Sequence, residues 1–153
     1  MSHIEMIEFL KEFSFLAPYA ATFGVAVAMV QLWRTATQAV TTFEDSTSKE
    51  YREITRRIPY KALVGIEMTD AEKNVALNEI YNYMDLCNEQ IFLRKAKRVR
   101  KNTWNDWQEG MRLNFELPFF QVASNEILNR LPTTFNELRR VKESGYRTDP
   151  RKW

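Results

Sequence analysis

The sequence has little glycine, proline, cysteine or histidine, and each shortage excludes a class of structure or chemistry. Four glycines and five prolines among 153 residues are roughly half the usual share, which favours long uninterrupted helices. The single cysteine, Cys87, excludes an internal disulfide framework and any multi-cysteine zinc or iron–sulfur site. The single histidine, His3, lies near a terminus, so a His-rich metal centre and most histidine acid–base chemistry are excluded.

Motifs of the common enzyme classes are also missing. The sequence contains no G-x-S-x-G, Walker A loop, G-x-G-x-x-G, H-E-x-x-H or C-x-x-C. Carboxylate pairs occur, such as Glu44/Asp45 and Asp106/Glu109, but pairs of this kind on helices are usually solvated. We therefore expect a protein that is not an enzyme and that has no metal or other cofactor, with an unfamiliar enzyme as an alternative.

One long uncharged segment sets the class of protein. The 21 residues from Phe13 to Trp33 carry no formal charge, and a helix of that length spans about 31 Å, close to the ~30 Å hydrocarbon core of a bilayer. Lys11 and Glu12 on one side and Arg34 on the other give it sharp polar edges. Aromatic residues near both ends suit the two membrane interfaces. The segment is therefore predicted to be a transmembrane helix.

Two other interpretations of this segment fit less well. A signal peptide has a basic start and a small-residue cleavage site, whereas the first twelve residues contain three acids and one lysine, and the segment does not end in an A-x-A-like site directly before Arg34. A buried helix of a soluble protein is disfavoured because every face is apolar or small for about six turns, more than a domain of this size encloses.

The cations that flank the segment predict its orientation. Lys11 alone precedes it, whereas Arg34 and four further cations follow within about 25 residues. The positive-inside rule then places the C-terminal part in the cytoplasm. We expect a single-pass protein of a bacterial inner membrane with its N-terminus outside.

Small residues within the segment predict self-association. Ala20, Gly24 and Ala28 are spaced by four and share one stripe of the helix, where another helix can approach closely. We expect a homo-oligomer packed through this stripe in the lipid bilayer.

The fold prediction is all-α, with one N-terminal transmembrane helix followed by a cytoplasmic domain of four to five helices. The predicted divisions are a short flank at 1–12, the transmembrane helix at 13–33, a helical linker at 34–48, the cytoplasmic domain at 49–145 and a loose basic tail at 146–153. The polar run 44–48 either separates two helices or lies within a continuous one.

Local patterns indicate where the cytoplasmic helices begin and which faces they bury. Thr69 with Glu72, and Thr134 with Glu137, have the spacing of capping boxes at helix starts. The helix after Thr69 carries residues at three- and four-residue steps that predict a buried stripe: Leu77, Ile80, Tyr81, Met84, Cys87 (or Asn88) and Ile91. Cys87 is therefore expected to be packed in the core rather than to act as a nucleophile.

A basic run with aromatic neighbours is the most distinctive feature of the C-terminal part. Residues 94–101 contain six basic side chains in eight, and two tryptophans follow closely. Clustered cations attract phosphate groups, and tryptophan faces stack on bases with ~1–3 kcal/mol per base. The predicted ligand-binding residues are Arg94, Lys95, Lys97, Arg98, Arg100, Lys101, Trp104 and Trp107.

Three interpretations of this run stay open: a site for a phosphate-bearing ligand, a surface that lies on anionic lipid at ~1 kcal/mol per cation, or a solvated helix face with no specific partner. Trp104 and Trp107, together with Met111, also fit a buried stripe at helical spacing.

Two family resemblances add to this interpretation. The stretches Leu77–Leu86 and Trp104–Met111 resemble the poorly characterised bacterial domains that follow a single N-terminal span. The size, topology and basic/aromatic cluster are similar to those of the small membrane effectors of type III CRISPR systems. Those effectors have an N-terminal membrane helix and a cytoplasmic helical domain that binds cyclic tetra-adenylate as a tetramer.

The second resemblance implies an antiphage effector that binds a cyclic oligoadenylate and perturbs the membrane, with a tetramer favoured and no DNA partner. A membrane-tethered adaptor that binds a protein or anionic lipid is the main alternative, and a holin-like toxin needing no ligand is another.

Overall fold

The computed structural model describes residues 17–153 and confirms the all-α class, since no strand occurs among these residues. The described helices are α1 (Ala17–Arg57), α2 (Tyr60–Val64), α3 (Asp70–Lys95), α4 (Lys101–Phe115), α5 (Pro118–Arg130) and α6 (Asn136–Glu143), followed by a 3-10 turn at Pro150–Lys152. The chain divides into two compact units between Thr41 and Thr42, and each is described by itself.

In the first unit, α1 exposes large apolar side chains over more than half of its circumference. Their exposed fractions run from 39% to 73% for Tyr19, Phe23, Val25, Val27, Met29, Val30, Leu32 and Trp33. Gly24 and Ala28 lie one turn apart and are exposed, with no atom within 4 Å of a Cβ built on Gly24.

The predicted flank 1–12, residues 13–16 of the predicted span and the side chain of Ala20 lie outside the described residues. Across residues 17–153, no helix contains a stretch that is both long and apolar enough to cross a membrane.

The second half of α1 continues without a break through the polar run 44–48. The hydroxyl groups of this run donate to carbonyls one turn earlier: Ser46 Oγ to the Phe43 oxygen at 2.7 Å and Ser48 Oγ to the Glu44 oxygen at 2.9 Å. Because these hydroxyls are satisfied inside the helix, they do not compete with its backbone bonds. The alternative of one continuous helix is therefore the one that the structure adopts.

The second unit is built around α3, which packs against α5, α6 and the C-terminal 3-10 turn. The predicted capping box begins this helix, with Glu72 N–H donating to Thr69 Oγ1 at 3.3 Å and Thr69 N–H donating to Glu72 Oε2 at 2.8 Å. Of the predicted apolar stripe, Ile80, Met84, Cys87 and Ile91 are fully buried.

The second predicted capping box is wrong. Helix α6 begins after Phe135, which has a left-handed backbone (φ 57°) and forms no side-chain cap. Thr134 Oγ1 donates instead to the Leu131 carbonyl oxygen at 3.0 Å. The left-handed conformation places the Phe135 ring in the core, with its centroid 5.5 Å from that of Tyr81, and this burial compensates a backbone cost of about 1–2 kcal/mol.

The C-terminal tail is packed, not loose as expected. Pro150 is buried, Asp149 accepts a hydrogen bond from the Arg151 N–H at 3.1 Å, and the Trp153 ring lies beneath the Arg140 guanidinium at 4.2 Å. The basic residues of the tail suggested a loose segment, but Pro150 and Trp153 among them pack against the fold and hold the tail in place.

Candidate ligand-binding site

The basic run is divided by the end of α3 and does not form one helical face. Lys97 has a left-handed backbone (φ 63°). Two backbone hydrogen bonds end the helix: Lys97 N–H donates to the Arg94 oxygen at 3.1 Å, and Arg98 N–H donates to the Leu93 oxygen at 3.0 Å. This is a Schellman motif, in which glycine usually occupies the left-handed position. The six cations are therefore distributed over a helix end, a turn and the start of α4.

Arg94 is a structural residue of the core. Its side chain is 2% exposed, and it donates to Asp149 Oδ1 at 2.8 Å, to Asp149 Oδ2 at 2.6 Å and to the Val99 carbonyl oxygen at 2.8 Å. These bonds use the guanidinium within the fold, so the predicted role of Arg94 as a phosphate ligand is wrong.

Two more cations of the run are paired with acids. Lys95 Nζ lies 2.6 Å from Glu137 Oε1, and Arg100 donates through its backbone N–H to Glu44 Oε1 at 2.8 Å and through Nε to Glu44 Oε2 at 2.9 Å. Burial raises the pKa of the Glu44 carboxyl, but the bonds from Arg100 and Thr103 together bring it below its ordinary value. Glu44 is thus ionised and holds Arg100 beside α1.

Trp104 belongs to the core rather than to a stacking surface. It is fully buried, and its Nε1 donates to the Thr148 carbonyl oxygen at 2.9 Å. Gln108 Nε2 donates to the same oxygen at 2.7 Å. The core alternative is therefore correct for Trp104, and its predicted contact with a ligand is not supported by its position.

Lys97, Arg98 and Lys101 are the cations of the run that stay exposed and form no ion pair with any described residue. We call these three residues the basic corner. The Arg98 guanidinium lies over the Phe43 ring at 5.1 Å from its centroid, which holds this side chain against the start of the second unit.

Trp107 differs from Trp104 because it lines a cavity. The cavity has a volume of about 350 Å³ and lies within the second unit between α1, α3 and α4; we call it the α1–α3–α4 cleft. It is lined by Ser48, Tyr51, Arg52, Tyr83, Gln90, Asp106, Trp107, Gly110 and Met111. Sequence reasoning found only Trp107 among the possible ligand contacts, because the other residues come from three separate helices.

The tyrosines of the cleft are held by one shared amide. Asn114 Nδ2 donates to Tyr83 Oη at 3.0 Å and to Tyr51 Oη at 3.3 Å. Burial raises the pKa of the Tyr83 phenol well above its ordinary value, so this hydroxyl stays protonated at neutral pH. Both rings therefore have fixed positions, and the cleft has preformed walls.

Cys87 lies beside Tyr83 and is fully buried, and burial raises the pKa of its thiol to about 12. Such a thiol is protonated and unreactive at neutral pH. Among residues 17–153, no group of three or more His, Cys, Asp or Glu side chains is arranged to hold a metal ion.

Comparisons with known proteins add no family to this description: no family model, no curated protein and no solved structure matches the chain. The two resemblances described above consequently stay predictions.

Proposed function

We propose that this protein is a non-catalytic, membrane-anchored effector whose second unit binds a phosphate-bearing ligand at the basic corner. The observation that carries the proposal is the uncharged stretch of α1 from Tyr19 to Trp33, where eight large apolar side chains are exposed over more than half of the helix circumference and Gly24 and Ala28 lie on the remaining face. Apolar surface in water costs about 25 cal/mol per Å², and a helix that is apolar all round requires lipid or protein around it. The proposed span is Phe13–Trp33, which extends beyond the described residues at its start.

The same proposal includes the location and assembly of the chain. The excess of cations after Trp33 favours an inner-membrane protein with its N-terminus outside and its second unit in the cytoplasm. The exposed Gly24 and Ala28 leave room for a second helix to approach, which supports a homo-oligomer, with a tetramer as the proposed form.

The basic corner supports the choice of a phosphate ligand. Lys97 occupies the left-handed position at the end of α3, where glycine would be about 1–2 kcal/mol less costly. Lys97, Arg98 and Lys101 are exposed cations without a described acid beside them, so their charge is available to an anion. Phosphate groups are the anions that such clusters bind best.

The resemblance to type III CRISPR effectors gives the ligand class, a cyclic oligoadenylate with cyclic tetra-adenylate as the proposed example. A ligand of this kind shifts a conformational equilibrium only if it binds one arrangement of the oligomer more tightly than the other. In this proposal the ligand favours an arrangement of the membrane helices that perturbs the bilayer.

Membrane attachment is tested by fractionating cells that express the full chain. We expect the protein to remain in the membrane pellet after washes with high salt and alkaline carbonate and to be released by detergent. The variant Val27→Arg places a charge within the proposed span, where it costs about 2.5–3.5 kcal/mol, and it should reduce insertion. Gln38→Arg adds the same charge outside the span and is the control. Release of the parent chain by carbonate alone would contradict the proposal.

Ligand binding is tested by calorimetry of the full chain in detergent with cyclic tetra-adenylate. The triple variant K97Q/R98Q/K101Q should bind at least tenfold more weakly than the parent. The triple variant R147Q/R151Q/K152Q removes the same charge from exposed positions elsewhere and should bind as the parent does. Equal affinity in the two variants would show that the basic corner is not the site.

A membrane-tethered adaptor that binds anionic lipid is the second candidate. One observation favours it: the basic corner is a cluster of three exposed cations, Lys97, Arg98 and Lys101, and such clusters attract anionic headgroups. Anionic lipid headgroups then contribute ~1 kcal/mol of binding free energy for each cation near the membrane surface.

Hydrogen exchange of the full chain in nanodiscs separates the two candidates. If lipid is the ligand, the amides of residues 97–101 should exchange more slowly with phosphatidylglycerol than with phosphatidylcholine, without any nucleotide. If the nucleotide is the ligand, protection should follow cyclic tetra-adenylate in both lipids.

A further inference from the structure

The α1–α3–α4 cleft is a preformed cavity whose lining residues do not overlap with the basic corner. Its volume of about 350 Å³ is within the range of small-molecule sites, which are mostly apolar with a few placed polar groups. Trp107, Tyr51 and Tyr83 supply the aromatic walls, and the centroids of the two tyrosine rings are 6.0 Å apart. Flat aromatic walls favour a flat ligand, because stacking needs ring faces that can meet.

Gln90 is a polar group of the cleft whose amide forms no bond within the described fold. Its side chain lines the cavity, the residue is only 5% exposed, and the amide forms no hydrogen bond with any described residue. Its amide atoms are not sealed in the core but reach the cavity, so they are available to a ligand there. Gln108 provides the contrast, because its buried amide donates to the Thr148 carbonyl oxygen at 2.7 Å.

The amide of Gln90 presents one donor and one acceptor side by side. This pattern matches adenine, which offers the N6 donor beside the N7 acceptor, whereas guanine offers two acceptors on the same edge and a donor beside an acceptor only on its N1–O6 edge. Arg52 and Asp106 also line the cleft and form no ion pair with the described residues, so one cation and one anion are available at the same cavity.

We infer that the α1–α3–α4 cleft binds an adenine nucleobase carried by a small molecule, with the ring against Trp107 and its edge hydrogen-bonded to Gln90. Arg52 provides a partner for a phosphate attached to the nucleoside. This inference concerns the second unit alone and does not depend on membrane attachment or on the basic corner.

The test uses the full chain in detergent and measures binding of adenosine, AMP and guanosine by ligand-observed NMR and tryptophan fluorescence. Adenosine and AMP should bind saturably, and guanosine, which can pair with the amide only through its N1–O6 edge, should bind more weakly. AMP should bind more tightly than adenosine, and Arg52→Gln should remove that difference.

Gln90→Leu is the decisive variant because an unpaired amide contributes nothing to stability. It should unfold at the same denaturant concentration as the parent, or a higher one, and bind adenosine roughly tenfold more weakly. Gln108→Leu loses a hydrogen bond of the core, so it should unfold earlier and bind adenosine as the parent does. A merely structural role for Gln90 would give the opposite result for stability.

The inference is overturned if the folded parent chain does not bind adenosine at millimolar concentration, or if Gln90→Leu binds as the parent does. The variant K97Q/R98Q/K101Q separates this inference from the proposed function, because it should keep adenosine binding even where it loses cyclic tetra-adenylate or lipid.

Discussion

Arg94 and Asp149 form a two-point ion pair across 55 positions of sequence, with bonds of 2.8 Å to Oδ1 and 2.6 Å to Oδ2. Arg94 also donates to the Val99 carbonyl oxygen at 2.8 Å. The hydrogen bonds from Arg94 are the main reason that the pKa of the Asp149 carboxyl is lowered. The buried Arg94 guanidinium thus links the end of α3 to the following turn, through Val99, and to the C-terminal segment, through Asp149.

Asp149→Ala should lower the free energy of unfolding by about 3 kcal/mol, because it leaves the Arg94 charge buried and unpaired. The control is Lys95→Gln, which breaks a more exposed pair with Glu137 and should cost no more than about 1 kcal/mol. Urea unfolding of the full chain in detergent, followed by circular dichroism, measures both. Similar losses in the two variants would show that the buried pair has no special role.

The helices of the second unit were predictable because their signals are local. The capping box at Thr69 and the apolar stripe that follows it both lie within a few residues of the feature they predict. Such patterns depend on helix geometry alone, so no knowledge of tertiary contacts is needed.

The candidate site was not predictable to the same extent because its parts meet only in the fold. Arg94 follows Ile91 by three residues and so continues the buried stripe of α3, but the partner that neutralises its charge, Asp149, lies far along the chain and could not be read from the basic run. The cleft likewise joins Tyr51, Gln90 and Trp107 from three helices. A composition-based prediction therefore found a basic cluster where the structure has a core pair, two surface pairs and a small exposed corner.

Two glycines in different backbone conformations should respond oppositely to alanine. Gly65 ends α2 with φ 73°, a conformation that an alanine adopts at a cost of about 1–2 kcal/mol. Gly110 lies inside α4 with open space around it, so Gly110→Ala should stabilise the protein by about 0.5–1 kcal/mol. Urea unfolding of both variants gives the comparison, and the same sign for both would contradict the assigned conformations.

Lys97→Gly should stabilise the second unit by about 1 kcal/mol, because glycine adopts the left-handed backbone at Lys97 (φ 63°) without strain. Lys97→Gln removes the same charge but keeps the strain, so its stability should match the parent. Thermal unfolding of the three chains separates strain from charge. A loss of stability in Lys97→Gly would mean that the lysine stem packs against the fold.

Cys87 should resist alkylation in the folded chain. The residue is fully buried and burial raises the pKa of its thiol to about 12, whereas alkylating reagents attack an accessible thiolate. Iodoacetamide at pH 8 should leave the native protein unmodified over a period that is sufficient for complete reaction in urea, as mass spectrometry would show. Equal rates in the two conditions would place Cys87 at the surface.

The ionised carboxylate of Glu72 stabilises the start of α3, and this contribution should disappear in acid. Hydrogen bonding to Lys61 and then to the Thr69 backbone and hydroxyl lowers the pKa of Glu72 from 4.5 to about 2. A lowered pKa means that the unfolded chain takes up a proton first, so the stabilisation is complete above pH 4.5 and is lost as the pH falls toward 2. Unfolding in urea from pH 6 to pH 2 should therefore show a shallower acid loss in Glu72→Gln than in the parent. Lys61→Met removes the first cause of the shift and should also make the loss shallower, by a smaller amount. Identical pH profiles in all three chains would contradict the assigned capping interaction.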